Sequence, residues 1–324
     1  MPAYNAELTV ESAVRSVLSQ SYTDIELIVV DDGSKDSTLL LLNQLHEQDS
    51  RLKILHTENQ GVSRARNFGI EMSSGELLGF IDADDTMIPE MVERLVGNFS
   101  DKVDLVCSGY TVVSYDGKEL NRQQPKNAVW KRNELYKGIG NLQETKSFNS
   151  LWNKLFRMDI VKKNSVKMKA GIKMGEDMLF VSDYLKACKL GMACISDCLY
   201  KYTLSPEGAQ ASWKIAESYE YRSGQLYELL PLYEKEKYPM ETFYAEHLRC
   251  VYVSMIEGNV KEALKSLYVD PHAVKMMRDY KPQNIKFGLF LFCLKSRCMV
   301  LIQAMVWIFR KYMRAAGKTF IWHE

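Results

Sequence analysis

Along its first hundred residues the chain alternates between two hydrophobic patterns. Ile25–Val30 is a near-continuous apolar run, and Leu77–Ile81 repeats it, as strands buried on both faces do. Lys53–His56 is shorter but of the same kind. Between these runs the apolar positions fall three or four apart, the period of a helix. Ala13, Val14, Val17 and Leu18 place one such face on Glu11–Ser19. Ser37–Gln48, Val62–Met72 and Pro89–Phe99 read the same way. Two further strands are predicted at Val103–Ser108 and Tyr110–Val113. The rhythm predicts an α/β fold with a mostly parallel sheet flanked by helices. Residues 114–150 are polar and irregular, and predict a loop region able to close over a site. After Glu217 strand signals stop, and Tyr219–Tyr233, Glu241–Gly258 and Val260–Leu267 predict a C-terminal α-helical region. A boundary is therefore expected near 215, dividing the chain into residues 1–215 and 216–324.

Composition changes this picture little. Apolar residues at 46% and charged residues at 26% describe a folded chain, and a net charge of +1 gives no case for a nucleic-acid partner. The charge is uneven, however. From Lys281 onward eight basic residues stand against Glu324 alone, which marks a basic amphipathic tail. Phe287–Phe309 is apolar but carries Lys295, Arg297 and Gln303, so it does not predict a span. A pair of helices lying on an anionic membrane surface fits its charge better than a helical cap packed on the domain. The seven cysteines follow no disulfide or CxxC spacing, which predicts reduced thiols and a cytoplasmic location. The first twenty residues show neither the charged start nor the apolar core of a secretory leader.

The chemistry concentrates in Asp82-Ala83-Asp84-Asp85, at the end of a buried run. Three carboxylates there form a hard-oxygen cluster suited to Mg²⁺ or Mn²⁺, although a solvated acidic loop has the same composition. Met87 occupies the position where a calcium loop needs Gly. Pro2-Ala3-Tyr4-Asn5 and Asp31-Asp32-Gly33-Ser34 also lie at expected strand ends. In open α/β sheets, ligands bind beyond the carboxyl ends of strands. Neither GxGxxG nor GxxxxGK[ST] occurs, which removes dinucleotide and P-loop readings.

Pro2 through Glu7, Ser16 through Tyr22, Glu26 through Ser34, Asn59 through Gly69 and Ile81 through Asp85 resemble, in order and spacing, segments of family 2 glycosyltransferases. The resemblance continues through Trp152-Asn153-Lys154-Leu155-Phe156 and Gly175-Glu176-Asp177-Met178-Leu179-Phe180, reaching about residue 205. It implies the GT-A fold, a nucleotide-activated sugar donor such as a UDP-sugar, Mn²⁺ or Mg²⁺, and inversion at the anomeric carbon. It also implies cell-surface polysaccharide synthesis on a glycan or polyprenyl-linked acceptor, at the inner face of the plasma membrane. The oligomeric state stays open.

By position in the family pattern, Pro2, Ala3 and Tyr4 line the uridine pocket, with Glu7 and Asn59 in the same donor site. Asp32 accepts a hydrogen bond from the base. Asp82, Ala83 and Asp84 meet ribose and diphosphate, and Asp84 and Asp85 are the candidate metal ligands. Arg66 and Asn67 order the nucleotide-sugar site. Asp177 is the catalytic base with Glu176 beside it, and Trp152, Asn153 and Lys154 shape the acceptor side, although Trp152 reads equally as a core residue. Glu176 and Asp177 also read as an acidic N-cap, and a helix N-terminus lowers a carboxylate pKa, which weakens a base. A non-catalytic sugar-nucleotide or glycan-binding module of the same fold is the alternative function, and a nucleotidyltransferase lacks its basic triphosphate loop. One departure stands out. Family members carry an apolar strand before the Pro-Ala-Tyr-Asn segment, and its absence here predicts a start upstream of Met1 and exposed neighbouring strands.

Overall fold

A computed structural model describes residues 1–171, 175–204, 219–282 and 285–315 of the chain. The chain forms two compact units, residues 1–206 and 207–323. The boundary expected near 215 falls outside the described residues.

In the first unit a three-stranded parallel sheet comes first, in the order β1 (Pro2–Ala3), β2 (Leu27–Asp31) and β3 (Leu52–His56). Every residue of β2 is buried, as its unbroken apolar run requires. Helices α1 (Val10–Leu18) and α2 (Thr38–Gln48) supply the sheet's crossovers, α3 (Val62–Met72) leads to the second sheet, and α4 (Met91–Val96) and α6 (Met158–Lys163) follow later in the unit. Strand β1 is short and pairs with β2 alone, where the Val30 N–H donates to the Met1 carbonyl and that of Asp32 to Ala3.

The second sheet is mixed. Its spine runs β4 (Leu77–Gly79), β9 (Lys154–Arg157), β6 (Val103–Ser114), β10 (Gly191–Leu204) and β5 (Thr86–Met87). The central β6 and β10 run parallel, and the other pairs are antiparallel. Strand β6 is continuous where two strands were expected. Gly109 interrupts the apolar run because a Cβ there would lie 2.6 Å from the Gln123 carbonyl of β7 (Glu119–Gln123) and 3.1 Å from that of Ser196. The expected loop of residues 114–150 is not irregular. It holds β7, β8 (Ala128–Trp130) and helix α5 (Leu135–Glu144). Strand β7 is almost wholly exposed and so carries no apolar signal, whereas α5 buries Leu135, Ile139 and Leu142.

The second unit is helical among its described residues. Helix Tyr219–Tyr227 stops short of the expected Tyr233, and a separate helix, Leu230–Glu236, starts with Pro231 in its first turn. Proline has no N–H to donate and suits that position. Helices Met240–Glu257, Val260–Val269, Pro271–Asp279, Ile285–Ser296 and Met299–Ala315 follow. Asn259 and Asp270 accept backbone N–H groups at the starts of two of them.

Candidate active site

Arg66, on α3, is the hub of the candidate site. Its side chain is 6% exposed, and three carboxylates surround it. Nη1 donates to Asp177 Oδ1 at 2.7 Å and reaches Glu176 Oε1 at 3.4 Å, while Nη2 donates to Asp82 Oδ1 at 2.8 Å. Burial opposes its charge, but Asp177 and Asp82, with Glu176, outweigh that and keep the guanidinium protonated. Its Nε is buried and has no partner among the described residues. Arg66 is thus an internal counter-ion that holds the acidic loop and the head of the Glu176–Ala187 helix together.

Glu176 and Asp177 open helix α7 (Glu176–Ala187), with Gly175 at the cap in the left-handed region (φ 87°). They are first-turn residues, and neither is the expected N-cap. Asp177 also departs from the expected acidity. Desolvation, helped by Glu176 and Asp82, pushes its carboxyl up to about 7 against the opposing pull of Arg66 and Lys154. Only its Oδ1 is engaged; among the described residues Oδ2 accepts no hydrogen bond. Beneath it, Phe180 of α7 meets Phe80 and Phe156 edge to face at 5.5 and 5.4 Å. Phe80 leads directly into the acidic loop, so one aromatic cluster supports both carboxylate-bearing segments.

The acidic loop itself divides. Asp82 and Ala83 are half-buried and Asp84 is exposed. Desolvation of its carboxyl, with the neighbouring Asp82 charge, pushes Asp84 up to about 6. Asp85 points inward and is fully buried. Its Oδ2 accepts the Tyr200 hydroxyl at 2.8 Å and its Oδ1 accepts the Thr203 N–H at 2.7 Å, both from β10. The Tyr200 oxygen in turn accepts the Asp82 N–H at 3.2 Å. Burial, with Asp84 and Asp82 nearby, holds Asp85 well above the usual carboxylate range. Asp85 therefore latches the loop to the sheet, with both carboxylate oxygens engaged. Among the described residues, no three His, Cys, Asp or Glu side chains form a metal-holding group.

Several other expected site residues serve the scaffold. Asp32 is buried, and its oxygens accept the N–H groups of Gln60 and Gly61, each at 2.8 Å. It clamps the loop that carries the exposed Asn59. Glu7 accepts the Ser37 N–H at 2.9 Å, in the turn before α2. The Asn67 amide exchanges two hydrogen bonds with the Met168 backbone, at 2.9 and 2.8 Å. Pro2 is half-buried and Ala3 buried, while Tyr4 stands exposed on the loop after β1.

The three residues expected on the acceptor side are buried. Trp152 is buried and stacks on Tyr200 at 4.4 Å and Tyr202 at 5.5 Å. Asn153 and Lys154 have no exposed surface. Asn153 donates to the Ser108 carbonyl at 2.7 Å, and Lys154 donates to the Ser147 and Ser150 carbonyls. Burial lowers Lys154 to about 8. A buried ammonium held by carbonyls braces the turn before β9.

Tyr200 and Thr203 carry no signal in the sequence, and His56 shows no triad partner there. His56 Nδ1 lies 2.6 Å from the buried Asp31 Oδ2, and the regular strand spacing of Tyr200 gives no hint of its role.

With this geometry in hand, comparison with known proteins decides the family. The family model described as "Glycosyl transferase family 2" matches residues 1–164. The chain belongs to this family. It is 29% identical over 209 residues to the uncharacterized glycosyltransferase EpsJ of Bacillus subtilis (strain 168), covering 64% of the chain and 60% of EpsJ. The chain thus spans less than two thirds of the length of such curated relatives. Among solved structures, S. aureus TarS 1–349 in complex with UDP-GlcNAc superposes with a TM-score of 0.65 at 16% identity, covering 98% of this chain and 91% of that one. The mannosyltransferase PcManGT from Pyrobaculum calidifontis, in complex with GDP-Man and Mn²⁺, gives 0.54 at 14% identity, covering 98% and 86%. The fold of this family 2 chain is GT-A, an α/β sheet assembly with helices following it.

Proposed function

We propose that the chain transfers a sugar from a nucleotide-diphosphate donor, a UDP-sugar, to a glycan or lipid-linked acceptor with inversion. The observation that carries this reading is Asp177, a carboxyl poised near neutrality with Oδ2 unengaged, tied through Arg66 to the loop bearing Asp82 and Asp84. In an inverting transfer the acceptor oxygen forms a bond to the anomeric carbon as the bond to the diphosphate oxygen breaks. The acceptor proton passes to Asp177, and the electron pair leaves with the diphosphate. A base pKa near the working pH favours that step.

The residues present also fit a divalent cation. Asp84 is a hard-oxygen donor on the loop whose pKa is raised by desolvation and then by the neighbouring Asp82 charge, both of which a bound cation would relieve. Such cations bind through one or two carboxylates together with substrate phosphates, so Asp84 would hold Mn²⁺ or Mg²⁺. The cation would supply charge neutralisation on the departing diphosphate. Work in cell-surface polysaccharide synthesis at the cytoplasmic face of a membrane accords with the family and with the basic tail.

A thermal-shift titration of UDP with and without Mn²⁺ tests the donor site. At about 100 times the dissociation constant, binding stabilises the fold by roughly 2.7 kcal/mol. A Mn²⁺-dependent shift is expected. A cooperative melt that UDP leaves unmoved in both conditions overturns the UDP-sugar reading.

A further inference from the structure

Two helices of the second unit, Ile285–Ser296 and Met299–Ala315, leave large apolar side chains in solvent. Ile285, Leu289 and Phe292 recur at helical spacing on the first, with Ile285 81% and Phe292 64% exposed. Val300, Trp307 and Ile308 form a second stripe, with Val300 73% and Trp307 62% exposed. Isolated exposed apolar residues need no explanation, but two successive helices carrying such stripes do.

The charges on these helices share one sign. Residues 285–311 contain Lys286, Lys295, Arg297, Arg310 and Lys311 and no Asp or Glu. Arg310 is committed to the protein, donating to the carbonyls of Met255, Ile256 and Gly258 at 2.8–3.0 Å, where helix Met240–Glu257 ends. Lys295 and Lys311 are exposed. The Lys311 ammonium lies 5.2 Å from the centre of the Trp307 ring. An aromatic ring with a cation beside it suits the boundary between acyl chains and headgroups.

We infer that this pair of helices is a docking face for an anionic lipid bilayer, which it enters superficially. Trp307 and Phe292 reach the acyl boundary, and Lys295 and Lys311 meet the lipid phosphates. Charge selects this occupant over a second copy of the chain. Two copies meeting through this face would juxtapose cations with no acid among them, whereas an anionic surface complements every exposed charge. Among the described residues, no helix is long and apolar enough to cross a membrane, and the short stripes call for lying on it. The inference stands apart from the sugar-transfer reading, since it uses no residue of the candidate active site.

Co-sedimentation of the full chain with phosphatidylcholine vesicles, with and without phosphatidylglycerol, tests it. Binding is expected to require the anionic lipid and to fall as salt rises. Lys295→Glu with Lys311→Glu should weaken partitioning at least about tenfold, and Trp307→Ser should weaken it while leaving the melting temperature unchanged. Because these side chains are exposed, the variants keep the fold, and circular dichroism verifies that. Absence of binding to anionic vesicles, or binding that the variants leave intact, overturns the inference. So does a concentration-dependent dimer that Trp307→Ser dissolves, which would assign the face to a second copy.

Discussion

Arg66 Nη1 donates to Asp177 Oδ1 across 2.7 Å, joining residues 111 positions apart in the chain. The other arm of the same guanidinium holds Asp82. One buried cation therefore fixes the head of α7 against the acidic loop, and the candidate base against the candidate donor site. Asp177→Asn keeps the shape and a hydrogen-bonding side chain but removes the proton acceptor. Transfer is expected to fall by about 10²–10⁴-fold, with UDP affinity within a few-fold of the wild type. Measuring both on one preparation separates chemistry from binding; full activity in the variant would remove Asp177 from the mechanism.

The same carboxyl predicts a pH profile. Asp177 is held at about 7 because burial disfavours its charge more than Arg66 favours it. A base works only when deprotonated, so kcat/KM should rise with pH and level off above an apparent pKa near 7. An ordinary exposed carboxylate would already be flat at pH 5–6. A profile level from about pH 5 upward would contradict the desolvated base.

Arg66 should matter to stability as well as to geometry. Its removal leaves Asp82, Glu176 and Asp177 facing one another without a counter-charge. Breaking a buried ion cluster by deleting one partner costs about 3–5 kcal/mol. Arg66→Met should lose about that much in urea denaturation at neutral pH. The loss should shrink as acid protonates Asp177. Arg66→Lys should recover part of the stability, because it keeps the charge without the fork that reaches two carboxylates at once. Equal stability of Arg66→Met and wild type would show that the cluster is not a net contributor.

The acidic loop separates a latch from a ligand within two adjacent residues. Asp85→Ala leaves the half-buried Thr203 N–H and the buried Tyr200 hydroxyl without their acceptor. Stability should fall by about 1–3 kcal/mol. Asp84→Ala exposes no unpaired group, and it relieves repulsion with Asp82. It should melt at or above the wild-type temperature yet lose the Mn²⁺-dependent part of UDP stabilisation. The reverse pattern, with Asp85 controlling the metal response and Asp84 the melt, would exchange the two roles.

Much of the fold was legible because its strands and helices advertise themselves by period. Helix Val62–Met72 has the bounds read from its pattern, and β2 differs by a residue or two. The two short strands and the helix inside residues 114–150 escaped because β7 buries almost nothing, so no hydrophobic alternation marks it. Site residues divided on similar grounds. Acidic residues at strand ends and helix starts could be found, but not which way each side chain turns. Asp84 and Asp85 are neighbours with opposite environments, and the partners that decide this, Tyr200 and Thr203, lie more than a hundred residues away. Trp152, Asn153 and Lys154 look in sequence like a sugar-facing trio. Their burial follows from β9 pairing with both β4 and β6, which places that turn inside the sheet assembly.

The helical unit carries its own titration. His247 is buried, and its Nε2 lies 2.9 Å from the Tyr219 hydroxyl and 2.8 Å from that of Tyr227. Both hydroxyls donate to Asp270 Oδ2, so their oxygens are left to accept, which puts the ring proton on Nε2. Nδ1 is then a bare acceptor, buried without a partner among the described residues. A second proton would create a buried N–H there with nothing to receive it. Burial accordingly lowers His247 from 6.5 to about 4, despite the favourable charge of Asp270. Between these values this imidazole binds more protons in the unfolded chain than in the folded one. Its contribution to stability is therefore full above about pH 6.5 and is lost as pH drops toward 4, by up to about 3 kcal/mol. His247→Gln keeps a donor toward the tyrosines and does not titrate, so its melting temperature should depend less steeply on pH over that window. Identical slopes for variant and wild type between about pH 6.5 and 4.5 would mean that His247 is not the group being protonated.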